Sequence, residues 1–197
     1  MSRGVVETSS AAADEGTLAH KIAADCMVQN TTVSAHALAK DLGPDNWLPL
    51  QEYVDYIRSL IEPESILFVE QHVDLSEWLG PDAGGTADAV IFYPLKGLMR
   101  IIDLKFGMGN LVYANERESG ELQINPQLAL YALGALRKHE YLADVTEVEM
   151  VIHQPRRGHI STTASAMDDL LAYGKTIAEA ARNVYENPDI FVPGETQ

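Results

Sequence analysis

The stretch that most constrains the fold runs from Gly84 to Gly107, GGTADAVIFYPLKGLMRIIDLKFG. Two apolar runs flank Pro94-Leu95-Lys96-Gly97, a turn composition, so the segment reads as a β-hairpin. Asp88 falls on the first strand, and Asp103 and Lys105 fall near the end of the second. Side chains alternate along a strand, which puts Asp103 and Lys105 on one face, roughly 6–7 Å apart, and Leu104 on the other. Charges in such apolar surroundings are costly unless they pair or ligate a metal. The hairpin is therefore a candidate divalent-metal site.

Length and charge narrow the setting. A chain of 197 residues suits one domain with a full hydrophobic core, and no internal repeat or boundary divides it. Residues 1–12 read as a flexible lead-in and 13–197 as a single domain. Fourteen basic against twenty-nine acidic residues give a formal charge of −15, which excludes a protein that coats nucleic acid through a broad positive surface. It leaves room for an enzyme that holds a phosphate backbone through bound metal and a few local cations. Cys26 is the single cysteine, so the chain by itself forms no disulfide, zinc knuckle or cysteine-ligated iron–sulfur cluster. No signal peptide or membrane-spanning run is apparent; the expectation is a cytoplasmic protein without a membrane partner.

In chain order, Asp14 reads as the N-cap of a helix from about 15 to 30, with Leu18, Ile22, Cys26 and Met27 at helical spacing and His20 between them. A short helix is expected near 34–41 and a clearer one near 49–61, with Leu50, Val54, Ile57 and Leu60/Ile61 as its buried stripe. Residues 66–73 form a strand that pairs with the hairpin and carries Glu70. Residues 76–85 read as a loop, and 107–124 as a mobile loop without periodicity. The segment NPQLALYALGALRK is a helix capped by Asn125 with Pro126 at its first position, and Gln127 and Tyr131 share one face. A fourth strand near 148–154, the turn Pro155-Arg156-Arg157-Gly158 and a last helix near 166–187 follow. The expected class is a mixed α/β (α+β) fold, a central mixed β-sheet flanked by helices.

Asp88, fourteen intervening residues, then Asp103-Leu104-Lys105, is a set with chemical meaning. Two carboxylates on adjacent strands suit a hard cation such as Mg²⁺, and the Leu104 carbonyl can add a ligand. Lys105 is placed to orient an attacking water or to offset charge on phosphoryl oxygens. Together these are the parts of a phosphodiesterase. Each part also has a plainer reading. Asp103 and Lys105 match a same-face ion pair, and Asp88 after Gly85-Thr86-Ala87 matches a turn-bonding aspartate. Glu70 fits a solvated edge carboxylate, Gln127 and Tyr131 fit packing and capping, and Arg156-Arg157 reads as a solvated turn rather than a DNA clamp. His72, His139, His153 and His159 have no metal-site spacing.

The segments EGTLAH at 15–20, GTADAVI, IIDLKFG and NPQLALYALGAL, in this order, resemble the PD-(D/E)XK nucleases of the RecB-like, phage-exonuclease branch, over most of the chain. The resemblance implies a restriction-endonuclease-like core and Mg²⁺- or Mn²⁺-dependent DNA hydrolysis, commonly by exonucleases in recombination within the bacterial host cell. Position by position, it implies that His20, Asp88 and Asp103 ligate metal and that Lys105 is the catalytic lysine. It implies that Gln127 and Tyr131 form a QxxxY motif supporting the site and the DNA backbone. Glu70 is similar in place to an upstream metal-proximal glutamate of some phage exonucleases.

Many RecB-like relatives also carry one cysteine near the N-terminus and three near the C-terminus, which bind an iron–sulfur cluster. This chain lacks them, so the expectation is a member without that cluster or a shortened one. The segment 111–124 also looks longer than in similar sequences. The expected partners are DNA, a phage single-strand annealing or recombination protein, and further copies of the chain in a ring. The rival expectation, motivated by the charge, is a catalytically inactive nuclease-fold protein that assembles with a recombination partner.

Overall fold

The computed structural model describes residues 11–118 and 121–186. Its strands are β1 (Ile66–Asp74), β2 (Gly84–Tyr93), β3 (Leu98–Leu104), β4 (Asn115–Glu118), β5 (Glu121–Ile124), β6 (Glu147–Gln154) and β7 (His159–Ala166). Its helices are α1 (Ala11–Gln29), α2 (Ala39–Leu42), α3 (Trp47–Ser59), α4 (Ser76–Leu79), α5 (Pro126–His139) and α6 (Met167–Glu186). The fold is mixed α/β, with a mixed five-stranded sheet in the order β1-β2-β3-β6-β7 and a separate β4-β5 pair. No helix among the described residues is long and apolar enough to cross a membrane.

The expected hairpin is present. Strands β2 and β3 pair antiparallel from Tyr93↔Leu98 to Ala89↔Ile102. Their turn is a single 3₁₀ turn over Pro94–Lys96, closed by Gly97 at φ 60°. That left-handed backbone favours glycine. Residues 87 to 93 are all buried, so β2 is a continuous interior strand rather than an alternating one.

Several boundaries differ from the sequence reading. Helix α1 begins at Ala11, so Asp14 lies inside its first turn instead of capping it. The carboxylate still suits the positive end of the helix there. The segment 34–41 splits into a 3₁₀ turn, Val33–Ala35, and the one-turn α2. The loop at 76–85 opens with α4. The segment 107–124 is not a featureless loop: it contains the β4–β5 hairpin, paired from Asn115↔Ile124 to Glu118↔Glu121. Strand β7 was not expected, because HISTTASA has little apolar content; only Thr163 on it is buried, as suits a strand at the sheet edge. The lead-in at 1–12 lies outside the described residues except for residues 11 and 12, which belong to α1.

The chain divides into two compact units. Among the described residues the first comprises 11–60, 104–112 and 152–160. In it α1 packs on α3. Ala19, Ile22 and Cys26 of α1 are fully buried, as are Leu50, Val54 and Ile57 of α3; of the other expected stripe residues, Leu18, Met27 and Leu60 are half-buried and Ile61 is exposed beyond the end of α3. Each such aliphatic side chain contributes roughly 1.5–3 kcal/mol on burial. Arg58 donates to the carbonyls of Cys26 (2.9 Å) and Thr31 (2.7 Å), capping the last turn of α1.

The second unit comprises 61–103, 113–151 and 161–186. In it α5 packs on β1 and β2, and α6 packs on α4 and α5. The cap of α5 is as expected: the Asn125 side-chain oxygen accepts from the N–H groups of Gln127 (3.0 Å) and Leu128 (3.4 Å), with Pro126 at the first position. Gly134 allows the close approach, since a Cβ there would sit 2.8 Å from Val73 Cβ.

Candidate metal centre

The site is built on strand register. Strands β1 and β2 pair antiparallel with one constant offset, Val69↔Ala89 on one side and Gln71↔Ala87 on the other. The omitted step is Glu70 opposite Asp88. Glu70 has φ 49°, in the left-handed region, and the ladder opens at that residue. One step beyond Ala89↔Ile102, the β2–β3 register sets Asp88 opposite Asp103. Glu70, Asp88 and Asp103 thus form one row across three neighbouring strands, at about 5 Å per strand.

The backbone of Glu70 has a further effect. Before it, Phe68 stacks on His139 of α5, with centroids 4.0 Å apart. After it, Gln71 Oε1 lies 3.0 Å from His139 Nε2, and Val73 abuts Gly134. Regular alternation puts Phe68 and Gln71 on opposite faces. The left-handed residue resets the alternation, so both meet α5. Strand β2 shifts with it: Phe92 contacts His139, while Gly85, an odd number of residues away, lies under the Tyr131 ring. A strained non-glycine residue of this sort costs on the order of 1–3 kcal/mol and clusters at functional sites.

Asp88 is 8% and Asp103 3% exposed, whereas Glu70 is exposed. Two carboxylates roughly 5 Å apart repel by about 3 kcal/mol at an effective dielectric near 20. One carboxylate oxygen each from Glu70 and Asp88 lie within 4.8 Å of each other, and His20 is half-buried on α1. Two neighbouring carboxylates make a donor set that suits a hard divalent cation. The residues therefore fit a metal, with Asp103 next in the row. Leu104 ends β3 with its side chain buried.

The remaining expected residues lie at the end of β3 and on α5. Lys105 is half-buried just past β3, and its N–H donates to the His153 carbonyl (2.9 Å). Tyr131 is half-buried on α5, and Gly85 makes room for it: a Cβ there would lie 2.6 Å from the ring. Gln127 is half-buried in the first turn of α5.

Three residues escaped the sequence reading. His153, assigned no role, is buried against the rings of Tyr53 and Tyr56, with centroids 5.5 and 4.9 Å away. Burial lowers its pKa to about 4, and its Nδ1 has no hydrogen-bond partner among the described residues. Gln154, 2% exposed, accepts from the Val112 N–H (2.6 Å) and donates to the Asn110 carbonyl (3.1 Å), clamping the segment after Lys105. Arg156 is not in a solvated turn: it pairs with Glu15 and lies over the Phe106 ring at 5.2 Å. The available signal was that β6, like β3, ends its apolar run in polar residues, His153-Gln154 against Asp103-Leu104-Lys105.

The family described as a protein of unknown function (DUF2800) matches residues 1–197. No solved structure matches the chain.

Proposed function

The chain belongs to the DUF2800 family, and we propose that it is a divalent-metal-dependent DNA nuclease with a restriction-endonuclease-like core, acting as an exonuclease in recombination. The observation that carries this reading is the row Glu70–Asp88–Asp103 across three neighbouring strands, with a Glu70 and an Asp88 carboxylate oxygen within 4.8 Å of each other. Three carboxylates in one row across a sheet supply the oxygen donors that a hard divalent cation takes.

His20, Glu70, Asp88 and Asp103 would hold the ion, assisted by the Leu104 carbonyl. Bound Mg²⁺ or Mn²⁺ supplies a Lewis acid for the phosphate and a more acidic water. Lys105, its main chain fixed by the His153 carbonyl, would orient an attacking water and offset charge on the phosphoryl oxygens. Tyr131 and Gln127 support the carboxylates and the DNA backbone from α5. A formal charge of −15 suits cutting from an end rather than coating a duplex.

The test uses linear DNA with Mg²⁺, comparing wild type with Asp103→Ala and Lys105→Ala. Loss of digestion in both supports the assignment, and unchanged digestion overturns it. Titration with Mn²⁺ tests the ligands separately, since Asp88→Asn is expected to weaken binding. The charge of −15 favours one other reading, an inactive nuclease-fold protein that assembles with a recombination partner. That reading predicts no cleavage with any metal and a stable complex with the partner.

A further inference from the structure

A groove of about 520 Å³ opens in the second unit, lined by α4, the C-terminal half of α5, residues 143–146 and Leu171 of α6. Its apolar lining includes Trp78, Leu133, Leu136, Val145 and Leu171. Gly174 lets α6 close on that lining, because a Cβ there would lie 2.8 Å from both Trp78 Nε1 and Leu133 Cδ1. Leu171 is 41% exposed, an apolar side chain left in water at the groove edge.

The polar lining is acidic. Glu77, Glu140 and Asp144 face one cation, Arg137, which already pairs with Glu77 at 3.1 Å. The exposed side chains of Glu140 and Asp144 make no hydrogen bond or ion pair among the described residues. The last-turn carbonyls of α5 add negative potential at the same end. A site with an apolar floor and unpaired carboxylates at its rim is complementary to an apolar side chain flanked by cations.

We propose that this groove docks a basic amphipathic segment of a partner protein, with an apolar side chain seated on the Trp78–Leu136–Leu171 floor and flanking Lys or Arg residues on Glu140 and Asp144. The proposal does not rest on the nuclease reading, since none of these residues belongs to the metal centre. The net charge of −15 steers such a segment toward the chain, and the groove gives it a place to stop.

The probe is a fluorescent synthetic Lys/Leu/Ala peptide of about 18 residues with one apolar helical stripe, alongside a scrambled peptide of the same composition. Anisotropy titrations compare wild type, Glu140→Lys/Asp144→Lys, Leu171→Ser, and a control pair outside the groove, Asp45→Lys/Glu52→Lys. All the substituted residues are exposed, so folding is retained and is verified by thermal melts. The groove reversal is expected to weaken the striped peptide by about tenfold or more. Leu171→Ser is expected to weaken it a few-fold, and the control pair by much less than the groove pair. Equal loss with the control pair, equal binding of the scrambled peptide, or no binding of either peptide overturns the proposal.

Discussion

Two hairpins in this protein share one turn and differ in what their strands carry. In β2–β3 the turn Pro94-Leu95-Lys96-Gly97 follows Tyr93 at φ −119°, ψ 82° and ends in Gly97 at φ 60°, ψ 27°. In β6–β7 the turn Pro155-Arg156-Arg157-Gly158 follows Gln154 at φ −113°, ψ 80° and ends in Gly158 at φ 56°, ψ 35°. The backbones are nearly superimposable in their angles, so Pro, a basic residue and Gly specify the reversal in both. Yet the first hairpin holds Asp88 and Asp103 in an acidic row, whereas the second holds neutral His153 and Gln154 against neighbouring main chain. The turn sets the register; the residues at the far ends of the strands decide what the register is for.

The sharpest way to break this comparison is to neutralise the acidic hairpin. Asp88→Asn and Asp103→Asn are each expected to lower DNA cleavage by about a hundredfold or more. Gln154→Ala, in the other hairpin, is expected to cost only several-fold through its grip on residues 110–112. Rates on linear DNA with Mg²⁺ decide this, and equal losses would mean that the two hairpins contribute alike. In EDTA the ranking reverses for stability, because relieving carboxylate repulsion is expected to raise the melting temperature of Asp88→Asn.

The turns themselves come next. Both glycines are left-handed, so alanine costs about 1 kcal/mol at either. A Cβ on Gly158 meets open space, but on Gly97 it lies 3.0 Å from Thr146 Oγ1 and 3.1 Å from the Asp144 carbonyl. The Gly97 carbonyl also accepts from the N–H groups of Thr146 (2.7 Å) and Glu147 (3.1 Å). Gly97→Ala is therefore expected to cost about 2–3 kcal/mol in urea unfolding, against about 1 kcal/mol for Gly158→Ala.

A pH series sharpens the second hairpin. With its folded pKa lowered to about 4 by burial, His153 takes up a proton more readily in the unfolded chain. Its contribution to stability is thus complete above the unfolded pKa near 6.5 and is lost as the pH falls toward 4. Burial lowers the pKa of His139 as well, assisted by Lys138, and adds to the same slope. Denaturant midpoints between pH 7.5 and 4.5 are expected to fall for wild type and to fall less for His153→Gln. Identical slopes would remove His153 from the account. The smallest effect is at Glu70: Glu70→Gly is expected to gain up to about 1 kcal/mol of stability by relieving the left-handed backbone while weakening Mn²⁺ binding. A loss of stability would show that the carboxylate itself holds the strand.

The two hairpins were unequally legible. Pro and Gly mark both turns, and the apolar run of β2–β3 marks two buried strands, so that hairpin could be read directly. The other was half hidden, because β7 offers alternating Ser, Thr and Ala in place of an apolar pattern. The β4–β5 pair was read as loop for a similar reason, since its strands are short and largely polar. At the candidate metal centre, the apolar hairpin nominated Asp88 and Asp103, the family resemblance added His20 and Glu70, and a left-handed glutamate could not be foreseen from its neighbours. Arg156 was misassigned because its partner, Glu15, lies 141 residues away.

The sequence by itself determined the local choices: the Pro-to-Gly turns, the Asn125-Pro126 start of α5, the apolar stripes of α1 and α3, and which carboxylates sit in apolar surroundings. These depend on backbone preference and periodicity within a few residues. Tertiary structure alone decided that Glu70 faces Asp88 in the row that Asp103 completes, that His153 is buried neutral, and that Arg156 is paired. Those outcomes depend on which strands become neighbours and in what register, and pairing between distant segments leaves no mark in local composition.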